Sequence, residues 1–523
     1  MGAKNHQQIK KVLTDSPINI SLHSFIEEIL KIAAQRGNCC IKLEELVSAA
    51  SKTATPLAVK KTITQMAMRE QIIVTKMENE YLCYLPSLWS CEQRVASNIL
   101  KRLASPLPIS EQTVSTLIQQ YCQEKGLKLH PNQEQAVRMA AVEKLAIMTG
   151  GPGCGKTFTA SAILSVWKKL GKKVVLCAPT GRASAKLAEG TGEDAKTIHK
   201  LLEYSRQGFK RNASNPIDAD AILIDESSMV DIQLMLALLE ALKPSAQILF
   251  VGDVNQLPSV GPGKFLHDLI DSKKIPLTKL TATFRQGAES KIITVADAIN
   301  EGRYPEIERV TRGRIPDTDC FLIEAETPEE GLDIIADLLS KFIPEMNYNP
   351  AKDVQILCPM KKGQIGTIAV NAELRDIFNP PSVDKSEIRV GTIQFRVGEK
   401  VIQTKNRTEV KNGDVGTIES ISNGKIVVKY IKDTRVEYSK QDISQLLPAW
   451  AISVHRSQGS DYPVAIVPMF DESQRMMNRN LLYTAVTRAK RIAIIIGSKN
   501  AIAMAAKTDG VVRMTTLRQR LAA

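Results

Sequence analysis

Cysteine is thinly scattered through this 523-residue chain: nine residues, an odd total and no CxxC pair. That pattern excludes a disulfide framework and a zinc site built on paired cysteines. Histidine is equally sparse, and His6, His23, His130, His199, His267 and His455 stand too far apart to show ligand spacing. A metal, if used, should therefore arrive with a phosphate substrate. Aromatics make up only 5%, which favours tracking of a polymer backbone over binding through many stacked bases. No apolar run approaches the roughly 18 residues of a membrane span, and Ile492 to Ile496 has the length of a buried strand. The opening MGAKNHQQIKK lacks the apolar stretch of a signal peptide, and His6 stands where a myristoylation motif wants Ser or Thr. Membrane-spanning and secreted classes are excluded, and a reducing, cytoplasmic setting is expected.

What is present is ordinary soluble composition, 43% apolar and 24% charged, in a length that suggests three or four domains. The charge is not neutral: 69 Lys and Arg against 56 acids leave +13. The excess is uneven, since residues 487–523 carry eight basic side chains against Asp509 alone. Two readings stay open, a polyanionic partner such as nucleic acid and a solvated basic surface.

Residues 1–105 read as a separate module. Helical periodicity through Phe25, Ile26, Ile29, Leu30 and Ile32 is followed by Leu43, Leu46 and Val47. A third helix is expected after Thr55, with Pro56 at its first position. The runs Ile72-Ile73-Val74 and Tyr81 to Leu85, around Glu78-Asn79-Glu80, predict a hairpin. Three short helices and a hairpin resemble a winged helix, suited either to DNA or to docking a partner. Beyond Leu129, β-rich runs bounded by Gly, Pro and Asp alternate with helical segments. They fall into two sets, Leu145 to Met148, Val174 to Leu176, Ala221 to Ile224 and Ile248 to Val251, then Val354 to Leu357, Val464 to Val467 and Ile492 to Ile496. Two parallel-sheet α/β layers are predicted. Alternating residues over 398–447, broken by Asn412-Gly413 and Asn423-Gly424, predict a small inserted β-barrel.

Gly150-Gly151-Pro152-Gly153-Cys154-Gly155-Lys156-Thr157 satisfies G-x-x-x-x-G-K-[ST] between a strand and a helix. Gly151, Gly153 and Gly155 let backbone N–H groups close around phosphates at the helix N-terminus. Lys156 is expected to reach the β- and γ-phosphates, Thr157 to sit on Mg²⁺, and Phe158 to join the ATP-binding set. Asp225-Glu226 ends a strand, so that one carboxylate can hold Mg²⁺ and the other can accept a proton from the attacking water. Gln256, in GDVNQLP, is expected near the γ-phosphate as sensor or water-positioner. Together these residues predict nucleoside-triphosphate hydrolysis.

Nine motifs follow in order: LHPNQEQAV (129–137), GGPGCGKT (150–157), APTGRASAKL (178–187), TIHKLL (197–202), DESSMVD (225–231), GDVNQLPSVGPG (252–263), TFRQ (283–286), SVHRSQGSDYP (453–463) and LLYTAVTRAK (481–490). The series resembles superfamily 1B helicases. GFKRNASNPIDAD (208–220), CPMKKGQIGTIAVNAELRDIFNP (358–380), FRVGEKVIQTKN (395–406) and KNGDVGTI (411–418) resemble the RecD-like branch in its short form. The resemblance implies two RecA-like motor domains, residues 106–284 and 285–397 with 448–523, an SH3-like insertion at 398–447 and a winged-helix-like module at 1–105. It implies an ATP-dependent 5′→3′ DNA helicase of repair or recombination, using Mg²⁺, working as a monomer on single-stranded and tailed duplex DNA, with a protein partner docking on the N-terminal module. Gln133 would contact adenine, and Arg285 and Arg488 would be arginine fingers. Thr180, Gly181, Arg182, Thr197, His199, His455, Ser457 and Gln458 would line the strand groove, although His199 and His455 also suit a capped or core imidazole. A pin over 203–218, with Phe209 near its tip, would split the duplex. Ser453 and Arg456 depart from the usual T-x-H-K-S-Q-G but keep hydroxyl and charge, and 105 upstream residues leave no room for the helix-hairpin-helix elements of longer members. Alternatives are a motor subunit of a recombination helicase/nuclease, an RNA-directed helicase, or a non-processive switch that spends ATP to change grip.

Overall fold

The computed structural model describes residues 21–104, 107, 109–282, 290–314, 316–430, 433–473, 476–510 and 512–522. The first module is built from helices Leu22–Gln35, Leu43–Ala50 and Pro56–Met68. Ser21 and Thr55 cap the first and third, each accepting a backbone N–H three residues on at 3.3 Å. A three-stranded antiparallel sheet (Cys40–Lys42, Glu80–Tyr84, Ile73–Met77) closes the module over Phe25, Ile26, Leu46, Val59 and Ile63.

The helix Pro86–Leu103 joins this module to the first α/β unit. At its end Arg102, 4% exposed, donates to the carbonyls of Leu242 and Lys243 at 3.0 and 2.9 Å and to those of Ala246 and Leu239 at 3.2 and 3.3 Å. One guanidinium thus satisfies the orphan acceptors that follow the helix Ile232–Ala241. The first unit is a six-stranded parallel sheet in the spatial order Leu277–Leu280, Leu145–Gly150, Gln247–Gly252, Ala221–Ile224, Val174–Ala178, Ala195–Thr197. Its central strands are buried along their whole length because helices cover both faces. The second unit repeats the plan with Glu308–Arg309, Cys320–Glu324, Ala489–Gly497, Tyr462–Met469, Val354–Cys358 and Ala451–Ser453, again all parallel.

Between Val354–Cys358 and Ala451–Ser453 the chain leaves the second unit to form a five-stranded antiparallel sheet, in the order Arg435–Tyr438, Lys425–Tyr430, Val415–Ser422, Lys400–Gln403, Leu446–Pro448. Asn423 and Gly424, both at positive φ (50° and 72°), make the two-residue turn that pairs Ser422 with Lys425. The hairpin Glu387–Val390/Ile393–Arg396 lies upstream, yet its Phe395 is buried in the same core. A second small hairpin, Tyr204–Ser205 against Gly208–Phe209, stands on the first unit. Its turn is Arg206-Gln207, so Phe209 sits in the paired part opposite Tyr204 rather than at the tip. Among the described residues no helix is long and apolar enough to cross a membrane, and all nine cysteines are free thiols.

The chain end ties these parts together. After the helix Lys499–Lys507 of the second unit, residues 512–522 run back onto the first unit and the N-terminal module. The Met514 carbonyl accepts the Cys39 N–H at 2.8 Å, and Thr516 donates its N–H and Oγ1–H to the Glu92 carboxylate at 3.0 and 2.7 Å. Leu517 and Leu521, both fully buried, join the core shared with Val95, Ile99 and Phe265. Beneath this strap Asp268 is buried, with one oxygen accepting from Thr515 Oγ1 at 3.1 Å and the other without a partner. Burial pushes its carboxyl up to about 7 against the pull of Lys264. Folding therefore takes up a proton here. The contribution is complete below the unfolded carboxylate value of about 3.9 and is lost as pH rises through about 7. Asp268→Asn, which mimics the protonated acid, should stabilise the chain more at pH 8 than at pH 5.5. Thermal melts at both pH values check this, and an equal shift at both would contradict it.

Candidate functional site

The strand Leu145–Gly150 ends at the glycine loop, and the helix Lys156–Lys169 begins directly after it. Gly153 and Gly155 hold φ of 71° and 80°, which a side chain rarely tolerates, so the loop curls back on itself. Lys156 Nζ donates to the Gly150 and Gly151 carbonyls at 2.6 and 2.8 Å. Burial pulls down the ammonium's pKa, but Cys154, Asp253, Glu226 and Asp225 outweigh it and raise the value. Phe158 is 40% exposed beside the loop, while Thr157 packs close to Gly190, where a Cβ would meet its methyl at 2.3 Å.

The acidic pair follows the strand Ala221–Ile224. Asp225 Oδ1 accepts the Glu226 N–H at 2.9 Å, and Glu226 takes a left-handed φ of 50°, a strained turn that separates the two carboxylates. Burial, then the Glu226 charge, push the Asp225 carboxyl up to about 6. Gln256 donates to Asp253 Oδ2 at 3.1 Å and leaves its Oε1 unpartnered. Gln133 accepts the His130 N–H at 3.0 Å in a capping box, which fixes the carboxamide and leaves Nε2 without a partner.

Four buried polar atoms are orphaned here, Gln133 Nε2, Glu226 Oε2, Gln256 Oε1 and Arg488 Nε. Buried polar groups are otherwise almost always paired, and donors and acceptors of this kind suit a purine edge, a hydrated metal–phosphate group and a phosphoryl oxygen. These residues fit a bound nucleoside triphosphate. Among the described residues there is no cluster of three or more His, Cys, Asp or Glu for a metal; Thr157 and Asp225 are the residues that could hold Mg²⁺ together with phosphate oxygens.

The second unit completes the cradle. Tyr483 OH donates to Asp253 Oδ2 at 2.8 Å, Asn480 Nδ2 to the Asn255 carbonyl at 2.9 Å, and the Leu257 N–H to Thr484 Oγ1 at 2.9 Å. Gln458 Nε2 donates to the Leu257 carbonyl at 2.8 Å. Arg488 is buried and donates to the Ser460 carbonyl at 3.0 Å. Arg285 lies outside the described residues.

The expected groove residues divide. Thr180, Gly181 and Arg182 open the helix Gly181–Thr191 and meet the second unit: Thr180 Oγ1 is 3.0 Å from where a Cβ on Gly459 would lie, and Arg182 Nη1 donates to Ser460 Oγ at 2.9 Å. Lys411 and Gly413 of the inserted barrel lie over Gly181 and Arg182. Thr197 caps the turn that carries His199, whose ring packs at 5.6 Å from Tyr204 and 6.0 Å from Phe209. His455 is exposed, whereas Ser457 is buried and donates to the Val454 carbonyl at 2.7 Å. The structure does not bring His199 into the Ser457–Tyr462 junction; it belongs to the small hairpin's aromatic cluster.

Residues 133–262 match the AAA domain family, 448–496 the UvrD-like helicase C-terminal domain, and 370–430 the ATP-dependent RecD-like DNA helicase SH3 domain. The chain is 34% identical over 442 residues to the ATP-dependent RecD2 DNA helicase of Deinococcus radiodurans, covering 84% of this chain and 58% of that one. Together these matches support a RecD-like superfamily 1 helicase. The chain spans somewhat over half of that relative's length. It is 28% identical over 489 residues to the RecBCD enzyme subunit RecD of Mycobacterium tuberculosis, covering 86% and 81% of the two chains. A Bacteroides Pif1 solved with single-stranded DNA is similar at 20% identity and a TM-score of 0.45, over 72% of this chain and 94% of that one.

In this RecD-like chain, sequence reasoning passed over Asp253, Asp461, Tyr483 and Thr484, which lie inside quoted motifs, and Asn480, one residue before the last of them. The signal was a polar residue set among apolar ones, as in Leu481-Leu482-Tyr483-Thr484-Ala485-Val486. The orphaned amide of Gln133 yields a direct prediction. Gln133→Glu keeps the cap acceptor but replaces the donor by a second, charged acceptor, so ATP affinity should fall about tenfold or more. Titration with a fluorescent ATP analogue checks it, and unchanged affinity would contradict the assignment.

Proposed function

We propose that the chain is an ATP-driven motor that moves 5′→3′ along single-stranded DNA and separates the duplex ahead of it, in DNA repair or recombination. What supports this reading is that the second unit meets the first beside the glycine loop, Tyr483 bonding Asp253, and Thr484 and Gln458 bonding Leu257. A nucleotide site at such a junction converts nucleotide binding and loss into relative motion of two units.

Within this reading Lys156 and the glycine-loop N–H groups hold the β- and γ-phosphates, and Gln133 reads the adenine edge. Thr157 and Asp225 would hold Mg²⁺, which would supply neutralisation of phosphate charge. Glu226 accepts a proton from the attacking water while Gln256 orients it, and the guanidinium of Arg488, with that of Arg285, draws charge from the transferring phosphoryl group. Thr180, Gly181, Arg182, Thr197, His199, His455 and Gln458 belong to the strand path, where hydroxyl, amide and backbone contacts read no sequence, and the buried Ser457 holds the turn that carries His455. Tyr204, 62% exposed on the small hairpin, offers a ring on which a base can stack at the fork. The working form is a cytoplasmic monomer, with the N-terminal module free to dock a partner protein.

The extensive match to RecBCD enzyme subunit RecD, over 81% of that chain, favours a second reading as a motor subunit beside a nuclease. Strand displacement on matched 5′-tailed and 3′-tailed duplexes, with Lys156→Ala as control, separates the readings. The first expects opening of the 5′-tailed duplex alone and none by the variant. Opening of only the 3′-tailed duplex would overturn the polarity. Stimulated ATP hydrolysis with neither duplex opened would favour the subunit.

A further inference from the structure

Three cations converge on the turn Ser460-Asp461-Tyr462 of the second unit. Two come from the first unit, Arg182 and Lys186, one turn apart on the helix Gly181–Thr191. Arg182 Nη1 donates to Ser460 Oγ at 2.9 Å and to Tyr462 OH at 3.1 Å, and Lys186 pairs with the Asp461 carboxylate. The third is Arg488, whose Nη1 donates to the Ser460 carbonyl at 3.0 Å and stands 3.6 Å from Asp461 Oδ1. The side chain of Arg488 is 4% exposed, that of Asp461 15%, and that of Lys186 48%.

We propose that Asp461 is a positioning residue for hydrolysis, which presets the Arg488 guanidinium and, through Lys186, ties its position to the helix that opens at Thr180 and Gly181. The inference rests on the helicase reading above. A buried guanidinium without a carboxylate is strongly disfavoured, and Asp461 is the acidic side chain paired with it among the described residues. Burial alone would raise the Asp461 carboxyl, yet Lys186 and then Arg488 overcome it and hold the value at about 2, so the carboxylate is anionic at any working pH. At the other end of the Lys186 helix there is no slack: Gly459, at φ +71°, abuts Thr180 Oγ1 and the Ala183 methyl. A strand that displaces this N-terminus moves Lys186 with it, because a helix of 11 residues shifts as one body. Asp461 then changes the share of its charge given to Arg488.

The test compares wild type, Asp461→Asn, Asp461→Glu and Lys186→Met in steady-state ATP hydrolysis with and without oligo(dT), beside binding of a fluorescent ATP analogue. Asp461→Asn should lower the DNA-stimulated kcat about tenfold or more and leave analogue affinity within about twofold. Asp461→Glu should recover most of the rate. Lys186→Met should lower the ratio of stimulated to unstimulated hydrolysis. A wild-type rate and ratio in Asp461→Asn, or a loss of analogue affinity as large as the loss of kcat, would overturn the proposal. If Asp461→Asn fails to fold by circular dichroism, Lys186→Met decides, and an unchanged ratio overturns it. A wild-type chain without DNA-stimulated hydrolysis removes the helicase reading itself, and this inference with it.

Discussion

A buried ammonium set among acids organises this molecule. Lys156 is held by two carbonyls of its own loop and surrounded by Asp225, Glu226 and Asp253. Those three carboxylates come from the ends of neighbouring parallel strands, so the sheet order itself delivers them to one place. An ion brought out of water requires such compensation. Asp253 then does double duty, because it also accepts from Gln256 and from Tyr483 of the second unit. The charge balance of the loop thereby reaches across the cleft.

Two kinds of connection bind the halves. Within the cleft Leu257 is buried in the second unit's core, and the hydrogen bonds and ion pair around it are few: Tyr483 to Asp253, Thr484 to Leu257, Gln458 to Leu257, Lys186 to Asp461. The neutral bonds among them are worth only about 1 kcal/mol each and exchange readily with a ligand or with water. The strap at the chain end is different in kind. Leu517 and Leu521 are fully buried among residues of the first unit and the Pro86–Leu103 helix. Arg513 donates to the Ser259 side chain and to the Gly261 and Gly263 carbonyls at 2.7 to 3.0 Å. The chain therefore crosses between units once through exchangeable contacts and once through a packed anchor.

The two parallel sheets, the antiparallel insertion and the N-terminal hairpin were legible because each strand carries a strong local signal, an apolar run or an alternating one closed by Gly, Asn or Pro. The glycine loop between strand and helix was legible because it is a local backbone requirement. Contacts that depend on where two distant segments meet were not. Nothing in the sequence around Thr516 announces a bond to Glu92, and Arg102 reads as one more basic residue at a helix end until its carbonyl partners are seen. The same holds for Asp461, which looks like solvated turn chemistry beside Ser460. Its burial comes wholly from the facing helix. Ser457 is the converse case: a hydroxyl in a strand-binding motif that the local turn engages for itself.

If one nucleotide is gripped by both units together, hydrogen exchange with and without a non-hydrolysable ATP analogue and Mg²⁺ will show it. A shared grip gives joint protection of the glycine loop, of residues 253–263 and of residues 480–488, all lost together in Lys156→Ala. Protection confined to the glycine loop, with residues 480–488 exchanging as in the free chain, would contradict it.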